Sequence, residues 1–521
     1  MEPELPRYSL PSALRWTVVL SIALATDDNF ADPDLWMHML TGQTILRTGH
    51  IPRFDTYSYA AAGAPWHNHE WLSQVAIAFC YAHLGVFGLK LLKLLCGSVT
   101  VVALAIGISV TGAPGRMQRL TLILSAVALS TQMQFRPQLF TFMMLSVVMA
   151  SIAIEVYRRG AILWPLIPLF ALWANFHGGY IVGLAAMGVA AAVMFVQGFG
   201  GNAVRMASAW RLALITLGCT AATIINPFGL GLWMGVAHSV GDPLIRKISN
   251  DWVPLTKWML TAWRENRMNL LQDVAPLFMF GGFVAAVAMA PDLDDAPMIA
   301  IAAIFIGAAF YAARNVAIGV IAVAIPLARH ASLAMERGAE IKPEMQPAAS
   351  NENEPAPLLL GICALILALV GGTFSNRLKT WKPVPTGALA FIKQRALHGN
   401  MLSQFEWGPY VLWHAGDEFK VYIDPRGELV YTDKQEGEYA MFFYGLKGAE
   451  SLLDEYPHDY VLMGTHTRGA DVVRKDARWH LLYSDQTAAL FGRAASPGEG
   501  PVVGNVADSD SKGKAPETYF P

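Results

Sequence analysis

The sequence predicts a polytopic α-helical membrane protein that also carries a soluble α/β domain towards its C-terminal end. Of its 521 residues, 54% are hydrophobic and only 15% are charged, and the mean hydropathy is +0.37. Soluble domains carry about a quarter charged residues, so a wholly soluble protein is excluded. The formal net charge of -2 provides no basic field, so no nucleic-acid partner is expected.

Apolar runs provide the evidence for the membrane part. About twenty apolar residues cross a bilayer, and the chain contains about eleven candidate runs. Acidic and proline residues precede the first run, which lacks a small-residue cleavage site, so it is interpreted as an uncleaved span. The predicted spans are 13–28, 85–110, 118–133, 138–157, 161–176, 178–198, 209–226, 275–290, 297–312, 315–331 and 357–375.

The distribution of Lys and Arg predicts the orientation of these spans. Short connections rich in Lys and Arg face the cytoplasm. An inside N-terminus places all of these connections on the inner side, and the odd number of spans then places residues 376–521 outside. The acidic connection 291–296 is an exception on the inner side. The cations concerned are Arg7, Arg15, Arg116, Arg119, Arg158, Arg159, Arg205, Arg211, Arg329, Arg337 and Lys342.

This orientation divides the chain into three parts. Residues 1–375 are predicted to form the transmembrane domain, with long outer loops at 29–84 and 227–274. Residues 376–494 are predicted to form an extracytoplasmic α/β domain, since short apolar strands alternate there with helix signals. The tail 495–521 is rich in Gly, Ser, Asp and Pro and is expected to be disordered.

The α/β domain contains one charged cluster, at Asp424, Arg426 and Glu428 after the apolar strand 419–424. Ligand sites in α/β folds often lie at such a point. A strand-to-turn transition with a local ion pair explains the same residues. We favour the local ion pair, because a likeness of fold says little about a site.

The first outer loop is the most informative segment. Asp32 is a good N-cap, Pro33 suits the first position of a helix, Asp34 lies in its first turn and Gly49 suits its end. Asp32 therefore has two interpretations, a helix cap and a general base. His38 follows one turn after Asp34.

A second group of polar residues is predicted at the same outer face. Arg136 and Arg314 lie in short turns and could bind a phosphate, although snorkelling to the interface explains either one alone. Asn175 and His177 lie in the turn WANFHGGY, where His177 could bind a phosphate or cap a span. His67 and His69 alternate near Glu70, but their spacing matches no standard zinc motif. No cofactor is therefore predicted, and a divalent metal is possible without being indicated.

Several segments resemble the GT-C glycosyltransferases, which include protein O-mannosyltransferases and the aminoarabinose transferases of bacterial lipid A. An acidic motif follows the first span, a long first outer loop carries surface helices, and an outer domain follows the last span. The sequence is most similar to a poorly characterised bacterial branch of that superfamily. The segments that carry the resemblance are DPDLWMHMLTGQ, HNHEWLSQ, FRPQLF, WANFHGG, INPFG, FEWGPYVLW and VYIDPRG.

The resemblance implies a sugar transfer at the outer face of a bacterial inner membrane. The donor would be a polyprenyl-phosphate sugar, the acceptor a lipid, glycan or protein, and the reaction would invert the anomeric centre. The family's acidic base maps first to Asp32 and second to Asp34. The chain departs from many relatives because Pro33 separates its two acids. The predicted substrate-binding residues are His38, His69, Glu70, Arg136, Asn175, His177 and Arg314.

Two other classes of function stay open at this point. A transporter or flippase for a lipid-linked intermediate would place ionisable groups at the midplane of the membrane. A non-catalytic scaffold of a polysaccharide or secretion system would leave Asp32 pointing away from any cavity. Membrane lipids are expected partners in all three cases.

Overall fold

The structure is a computed structural model that describes residues 17, 20–21, 30–235, 252–265, 268, 270–341, 378–380, 382–493 and 519–520. The predicted span 357–375 and most of the span 13–28 lie outside the described residues. So do much of the predicted outer loop 227–274 and most of the predicted tail 495–521.

Helices dominate the first two thirds of the chain, and short helices alternate with strands in the last third. The α-helices that are used below are α1 (Asp34–Thr48), α2 (Trp71–Ser109), α3 (Gly115–Ser130), α4 (Gln138–Tyr157), α5 (Leu166–Phe176), α6 (Tyr180–Phe199), α7 (Ala203–Ala222), α8 (Leu255–Arg264), α9 (Leu270–Met289), α10 (Ala296–Tyr311), α11 (Val316–Ile341), α12 (Thr386–Gln394), α13 (Gly408–Ala415), α14 (Asp433–Phe443), α15 (Leu452–Glu455) and α16 (Arg468–Arg474). The strands are β1 (Phe30–Ala31), β2 (Leu378–Thr380), β3 (Gly399–Ser403), β4 (Phe419–Val421), β5 (Tyr460–Gly464), β6 (Trp479–Ser484), β7 (Ala488–Arg493) and β8 (Tyr519–Phe520).

The chain divides into two compact units. The first unit, called here the helical unit, contains residues 1–29, 84–229 and 249–376. The second, called the sheet unit, contains residues 30–83, 230–248 and 377–521. Residues 30–83 therefore group with the C-terminal α/β part, whereas the sequence predicts a loop of the transmembrane domain at 29–84.

The helical unit confirms the predicted class of polytopic α-helical membrane protein. Among the described residues, six helices are long and apolar enough to cross a membrane by length and composition. The predicted spans 118–133, 161–176 and 209–226 are helical, as α3, α5 and α7, but they are not among these six, and the predicted count of about eleven is not confirmed. The six are Trp71–Ser109, Gln138–Tyr157, Tyr180–Phe199, Gln272–Met289, Leu293–Tyr311 and Ala313–Gly338.

The two ends of the helical unit differ in chemistry. Gln197 near the end of α6 donates a hydrogen bond to the carbonyl of Leu293 before α10, at 2.6 Å, so these helices run antiparallel. The turns that carry His177 and Arg314 therefore lie at one end of the bundle, called here the His177 end. The opposite end, called the Asp295 end, carries the acidic connection before α10.

Ion pairs explain the acidic connection that the Lys and Arg pattern left as an exception. The guanidinium of Arg329 in α11 binds Asp292, at 2.5 Å between Nη2 and Oδ2. His330 is fully buried, and its Nε2 lies 3.0 Å from Oδ2 of the equally buried Asp295. Arg205 in α7 donates to the carbonyl of Asp294 at 2.9 Å. The acids therefore balance cations from α7 and α11.

The sheet unit contains two sheets. The larger has the strand order β4-β3-β5-β7-β6, with β4, β3 and β5 parallel to each other and β7 antiparallel to both of its neighbours. Strand β3, which lies between β4 and β5, has no counterpart among the apolar strands that the sequence predicts at 419–424, 459–463, 479–484 and 487–492. The smaller sheet has the order β1-β2-β8. One hydrophobic core joins the first loop to the larger sheet, since it contains Trp66 together with Tyr422, Phe442 and Phe491.

Candidate functional site

The acidic start of α1 belongs to the sheet unit. Strand β1 ends directly before Asp32, whose carbonyl accepts the N–H of Leu35 at 3.0 Å. The side chain of Asp32 is buried, and its Oδ1 accepts the N–H of Asp34 at 3.0 Å. The helix ends at Gly49, which has a left-handed φ of 70°. Asp32 therefore satisfies a backbone donor at the helix start, and its backbone is fixed on both sides.

A close helix crossing places His38 beside Glu70. A Cβ atom built on Gly42 of α1 would lie 2.0 Å from the carbonyl oxygen of Gln74 in α2, so only glycine permits this approach. His38 lies one turn before Gly42, and Glu70 directly precedes α2. Nδ1 of His38 is 3.9 Å from Oε2 of Glu70. The crossing therefore brings together two residues that are 32 positions apart in the sequence.

Glu70 contacts a second imidazole. Nε2 of His69 lies 3.8 Å from Oε1 of Glu70, so each carboxylate oxygen faces a different histidine. The three side chains are between 11% and 19% exposed, which leaves one edge of the group accessible. In the part of the chain that the structure describes, no group of three or more His, Cys, Asp or Glu is arranged to hold a metal ion. The arrangement suits hydrogen bonding to a polar ligand and transfer of a proton.

The remaining predicted residues lie at the His177 end of the helical unit. His177 follows α5, and its Nδ1 accepts the N–H of Gly179 at 3.0 Å. The hydroxyl of Thr141 lies 2.8 Å from the same nitrogen, and it accepts the indole N–H of Trp173 at 3.0 Å. Because Nδ1 receives both hydrogen bonds, the neutral imidazole carries its proton on Nε2. His177 therefore presents Nε2–H as a donor.

Asn175 has a visible structural role. Its side-chain nitrogen donates to the carbonyl of Ala171 and to the carbonyl of Ile225, each at 2.8 Å. Asn226, in the same turn as Ile225, uses its own side chain to close the following turn through Thr223, Phe228 and Gly229. One of these hydrogen bonds lies within α5, and the other joins the end of α5 to the turn after α7.

Two arginines lie in turns at this end of the helical unit. Arg136 precedes α4, its N–H donates to Gln134 at 2.8 Å, and its side chain is half-buried. The guanidinium carbon of Arg314, before α11, lies 4.9 Å from the centroid of the Trp252 ring. The neighbouring Ala313 donates to the carbonyl of Val253 at 2.9 Å, so two backbone segments fix this turn.

Two lysines of the helical unit were missed in the sequence analysis. Lys90 and Lys93 are buried in α2, at 2% and 0% exposure. Nζ of Lys93 lies 5.3 Å from the centroid of the Phe135 ring, and Phe135 directly precedes Arg136. Cations inside an apolar helix are expensive and tend to be functional. The signal was present, since Lys90 and Lys93 interrupt the predicted span 85–110.

The candidate residues therefore form two groups. Asp32, Asp34, His38, His69 and Glu70 belong to the sheet unit. Arg136, Asn175, His177 and Arg314, together with Lys90 and Lys93, belong to the helical unit. The first group provides carboxylates and imidazoles, and the second provides cations and hydrogen-bond donors.

Comparisons with known proteins find likeness in structure and none in sequence. No family model matches the chain, and no curated protein matches it. The archaeal oligosaccharyltransferase AglB from Archaeoglobus fulgidus, solved with an inhibitory peptide and a dolichol-phosphate, matches with a TM-score of 0.56 at 13% identity, over 94% of this chain and 75% of its own. The oligosaccharyltransferase from the same organism, tethered to an acceptor peptide, gives 0.53 at 13% identity over 95% and 75%.

Part of a mycobacterial enzyme has a similar fold. The arabinofuranosyltransferase AftD from Mycobacteria matches with a TM-score of 0.51 at 12% identity, over 93% of this chain and 41% of its own. At sequence identities this low, the structural matches establish the fold alone. The reaction has to be argued from the site. This chain therefore has the fold of the GT-C membrane glycosyltransferases.

Proposed function

We propose that this protein is a membrane glycosyltransferase that moves a sugar from a polyprenyl-phosphate donor to a lipid, glycan or protein acceptor. The observation that carries the proposal is the position of Asp32 in a chain with the GT-C fold. Its carboxylate is buried at the start of α1, directly after strand β1, and its backbone is fixed on both sides. The solved neighbours with this fold include an oligosaccharyltransferase bound to a dolichol-phosphate, which supports a lipid-linked donor.

The proposed reaction is a single displacement at the anomeric carbon. Asp32 accepts the proton of the acceptor hydroxyl or amine, whose oxygen or nitrogen forms a new bond to C1 of the sugar. The bond between C1 and the phosphate oxygen breaks, and the polyprenyl phosphate leaves with that electron pair. Because the acceptor attacks opposite the leaving group, the anomeric centre inverts. Phosphate is a good leaving group, so no general acid is required.

The cations of the helical unit suit the phosphate. Negative charge grows on the leaving phosphate in the transition state, and preorganised cations stabilise it. Arg136 offers a planar fork for two phosphate oxygens, and Lys93 is a point charge near the same turn. The Nε2–H of His177 is a fixed neutral donor. We assign Arg314 to the same ligand, with its guanidinium held on the face of Trp252.

His38, His69 and Glu70 are assigned to the sugar or acceptor. A carboxylate that lies between two imidazoles can accept hydrogen bonds from hydroxyl groups, and each imidazole can donate or accept one. Asp34 is the alternative base, because it lies in the first turn of α1, two residues after Asp32.

We assign the Asp295 end to the cytoplasm and the His177 end to the outer face of a bacterial inner membrane. The Asp295 end carries Arg205, Arg211 and Arg329, and Arg337 donates there to the carbonyl of Met289 at 3.2 Å. Short segments rich in Arg and Lys face the cytoplasm. We also propose that the N-terminus lies inside and residues 376–521 outside, as the Lys and Arg pattern of the sequence predicts.

The proposal is tested with the purified protein in lipid nanodiscs. A panel of undecaprenyl-phosphate-linked hexoses and pentoses is supplied, and release of undecaprenyl phosphate is measured with and without a cell-envelope extract as acceptor. We expect at least one donor to be consumed, and Asp32→Asn to abolish its consumption. The proposal is wrong if every donor is left intact while donor lipids move from one leaflet to the other in the membrane of a sealed vesicle that contains the protein. The protein is then a flippase.

A further inference from the structure

The first loop of the chain is built into the C-terminal α/β part. Strand β1 pairs in parallel with β2, with Phe30 opposite Lys379 and Ala31 opposite Thr380. Further along the loop, the N–H of Tyr59 donates to the carbonyl of Val421 at 3.1 Å, and the N–H of Val421 donates to Tyr57 at 3.2 Å. The loop therefore adds backbone pairs to both sheets of the sheet unit.

Arg426 joins the first loop to the segment that follows β4. Its guanidinium binds Asp424 through two bonds, Nε to Oδ1 at 2.8 Å and Nη2 to Oδ2 at 2.6 Å. The same Nη2 lies 2.7 Å from Oδ1 of Asp55, which belongs to the first loop. All three side chains are buried. One buried cation thus joins two carboxylates from segments that are far apart in the sequence.

Aromatic rings and loop amides surround this ion pair. The guanidinium carbon lies 5.0 Å from the centroid of the Tyr57 ring and 4.8 Å from that of Trp66, and both rings come from the loop. The carboxylate of Asp55 also accepts the N–H groups of Tyr57 at 3.0 Å and of Ser58 at 3.2 Å. Asp55 therefore shapes the loop backbone while it binds Arg426.

Helix α1 is anchored in the same unit. Trp36 is fully buried, and its ring lies 5.4 Å from that of Tyr410 and 5.2 Å from that of Phe520. Tyr410 belongs to α13, which packs against α1. Trp36 lies two residues after Asp34, so the C-terminal part of the chain reaches the start of α1 directly.

We propose that Arg426 is a positioning residue: with Asp424 and Asp55 it fastens the first loop to the C-terminal domain and so fixes the Asp32 carboxylate relative to the substrate. This inference rests on the proposed function. Removal of the guanidinium leaves two buried carboxylates that repel each other, and the loop is then released at this junction. A displacement of about 1 Å at a reacting group can cost about 10²-fold in rate.

The test compares Arg426→Gln with Arg478→Gln. Arg478 also binds two carboxylates, those of Asp476 and Asp454, but it lies half-exposed on the surface of the same domain. Amide hydrogen exchange of residues 30–48 is measured in the full-length protein, together with kcat and the KM for the undecaprenyl-phosphate-linked donor. We expect Arg426→Gln to raise exchange at least tenfold and to lower kcat about 10²-fold, with an unchanged KM. Arg478→Gln should change none of the three.

A disulfide separates positioning from a general loss of structure. Phe30 and Lys379 are exposed and lie opposite each other in β1 and β2. The pair Phe30→Cys and Lys379→Cys is added to Arg426→Gln. Oxidation should restore most of kcat and reduction should remove it again. If Arg426→Gln does not fold, Asp55→Asn is used in its place, because it leaves the Asp424–Arg426 pair intact.

Unchanged exchange of residues 30–48 in a folded Arg426→Gln or Asp55→Asn protein would overturn the proposal. So would a loss of kcat that the oxidised disulfide does not repair. Hydrogen exchange needs no substrate, so it also decides the case when the wild-type protein transfers no sugar. If the wild-type protein transfers no sugar, the proposed function is wrong. Hydrogen exchange alone then tests whether Arg426 fastens the first loop.

Discussion

Replacement of Asp32 by Asn separates the two roles that this residue can have. The structure shows one role, because Oδ1 of Asp32 accepts the N–H of Asp34 at 3.0 Å. The amide oxygen of Asn accepts the same hydrogen bond, so the start of α1 should survive in Asp32→Asn. Asn does not accept a proton at neutral pH, so the proposed catalytic role should be lost.

The magnitudes differ enough to be measured separately. Loss of an N-cap side chain costs about 0.5–2 kcal/mol, whereas Asn and Asp are almost equivalent caps. Asp32→Ala should therefore destabilise the protein by about 1 kcal/mol, and Asp32→Asn by a few tenths at most. Loss of a general base lowers turnover by about 10²–10⁴-fold, so both variants should be nearly inactive.

The assay combines thermal unfolding with release of undecaprenyl phosphate from a donor. Asp34→Asn is the matched control, since it removes a neighbouring carboxylate from the first turn of the same helix. A normally folded Asp32→Asn protein with full turnover would refute the assignment of the base to Asp32. If Asp34→Asn were then inactive, Asp34 would be the base.

Three further predictions follow from the same contacts. Lys93→Met and Arg136→Gln should each weaken undecaprenyl-phosphate binding about tenfold to hundredfold, because each removes a charge-assisted contact; unchanged binding would assign these cations to packing. Gly42→Ala should lower the melting temperature and the activity together, since its Cβ would lie 2.0 Å from the Gln74 carbonyl oxygen; a wild-type melting curve would contradict the crossing. Burial lowers the pKa of His458 to about 4, so the unfolded chain binds more protons than the folded chain below pH 6.5, and stability should fall by about 3 kcal/mol as the pH drops towards 4. His458→Gln should flatten that slope in thermal unfolding between pH 7 and 4.5, and an unchanged slope would locate the titration elsewhere.

The sequence predicts best where one physical requirement acts alone. A span needs only a long apolar run, so the predicted span 138–157 matches α4 to the residue. Helix α1 was predicted closely for a similar reason, since Asp32 accepts the N–H of Asp34 at the helix start and Gly49 has the left-handed conformation that ends the helix. Local chemistry of this kind is visible in a short window of residues.

Features that depend on distant partners were not predictable. Strand β1 has two residues and β2 has three, too few to show the alternation that marks a strand. Their pairing joins residues about 350 positions apart, and neither this pairing nor the packing of Trp36 on Tyr410 and Phe520 is visible in a local pattern. Lys90 and Lys93 were missed for a different reason, because two cations hardly lower the mean hydropathy of a long apolar helix.

The pairing of β1 with β2 has a consequence for biogenesis. These strands are about 350 residues apart, and synthesis at about 5–20 residues per second separates their emergence by about 20 to 70 s. During that interval the proposed base would have reached the outer face of the membrane without the strand and the arginine that fix it. A nascent chain should therefore be inert towards lipid-linked sugars until its α/β domain has been translocated and folded. The order of synthesis itself would then protect the donor pool from incomplete enzyme.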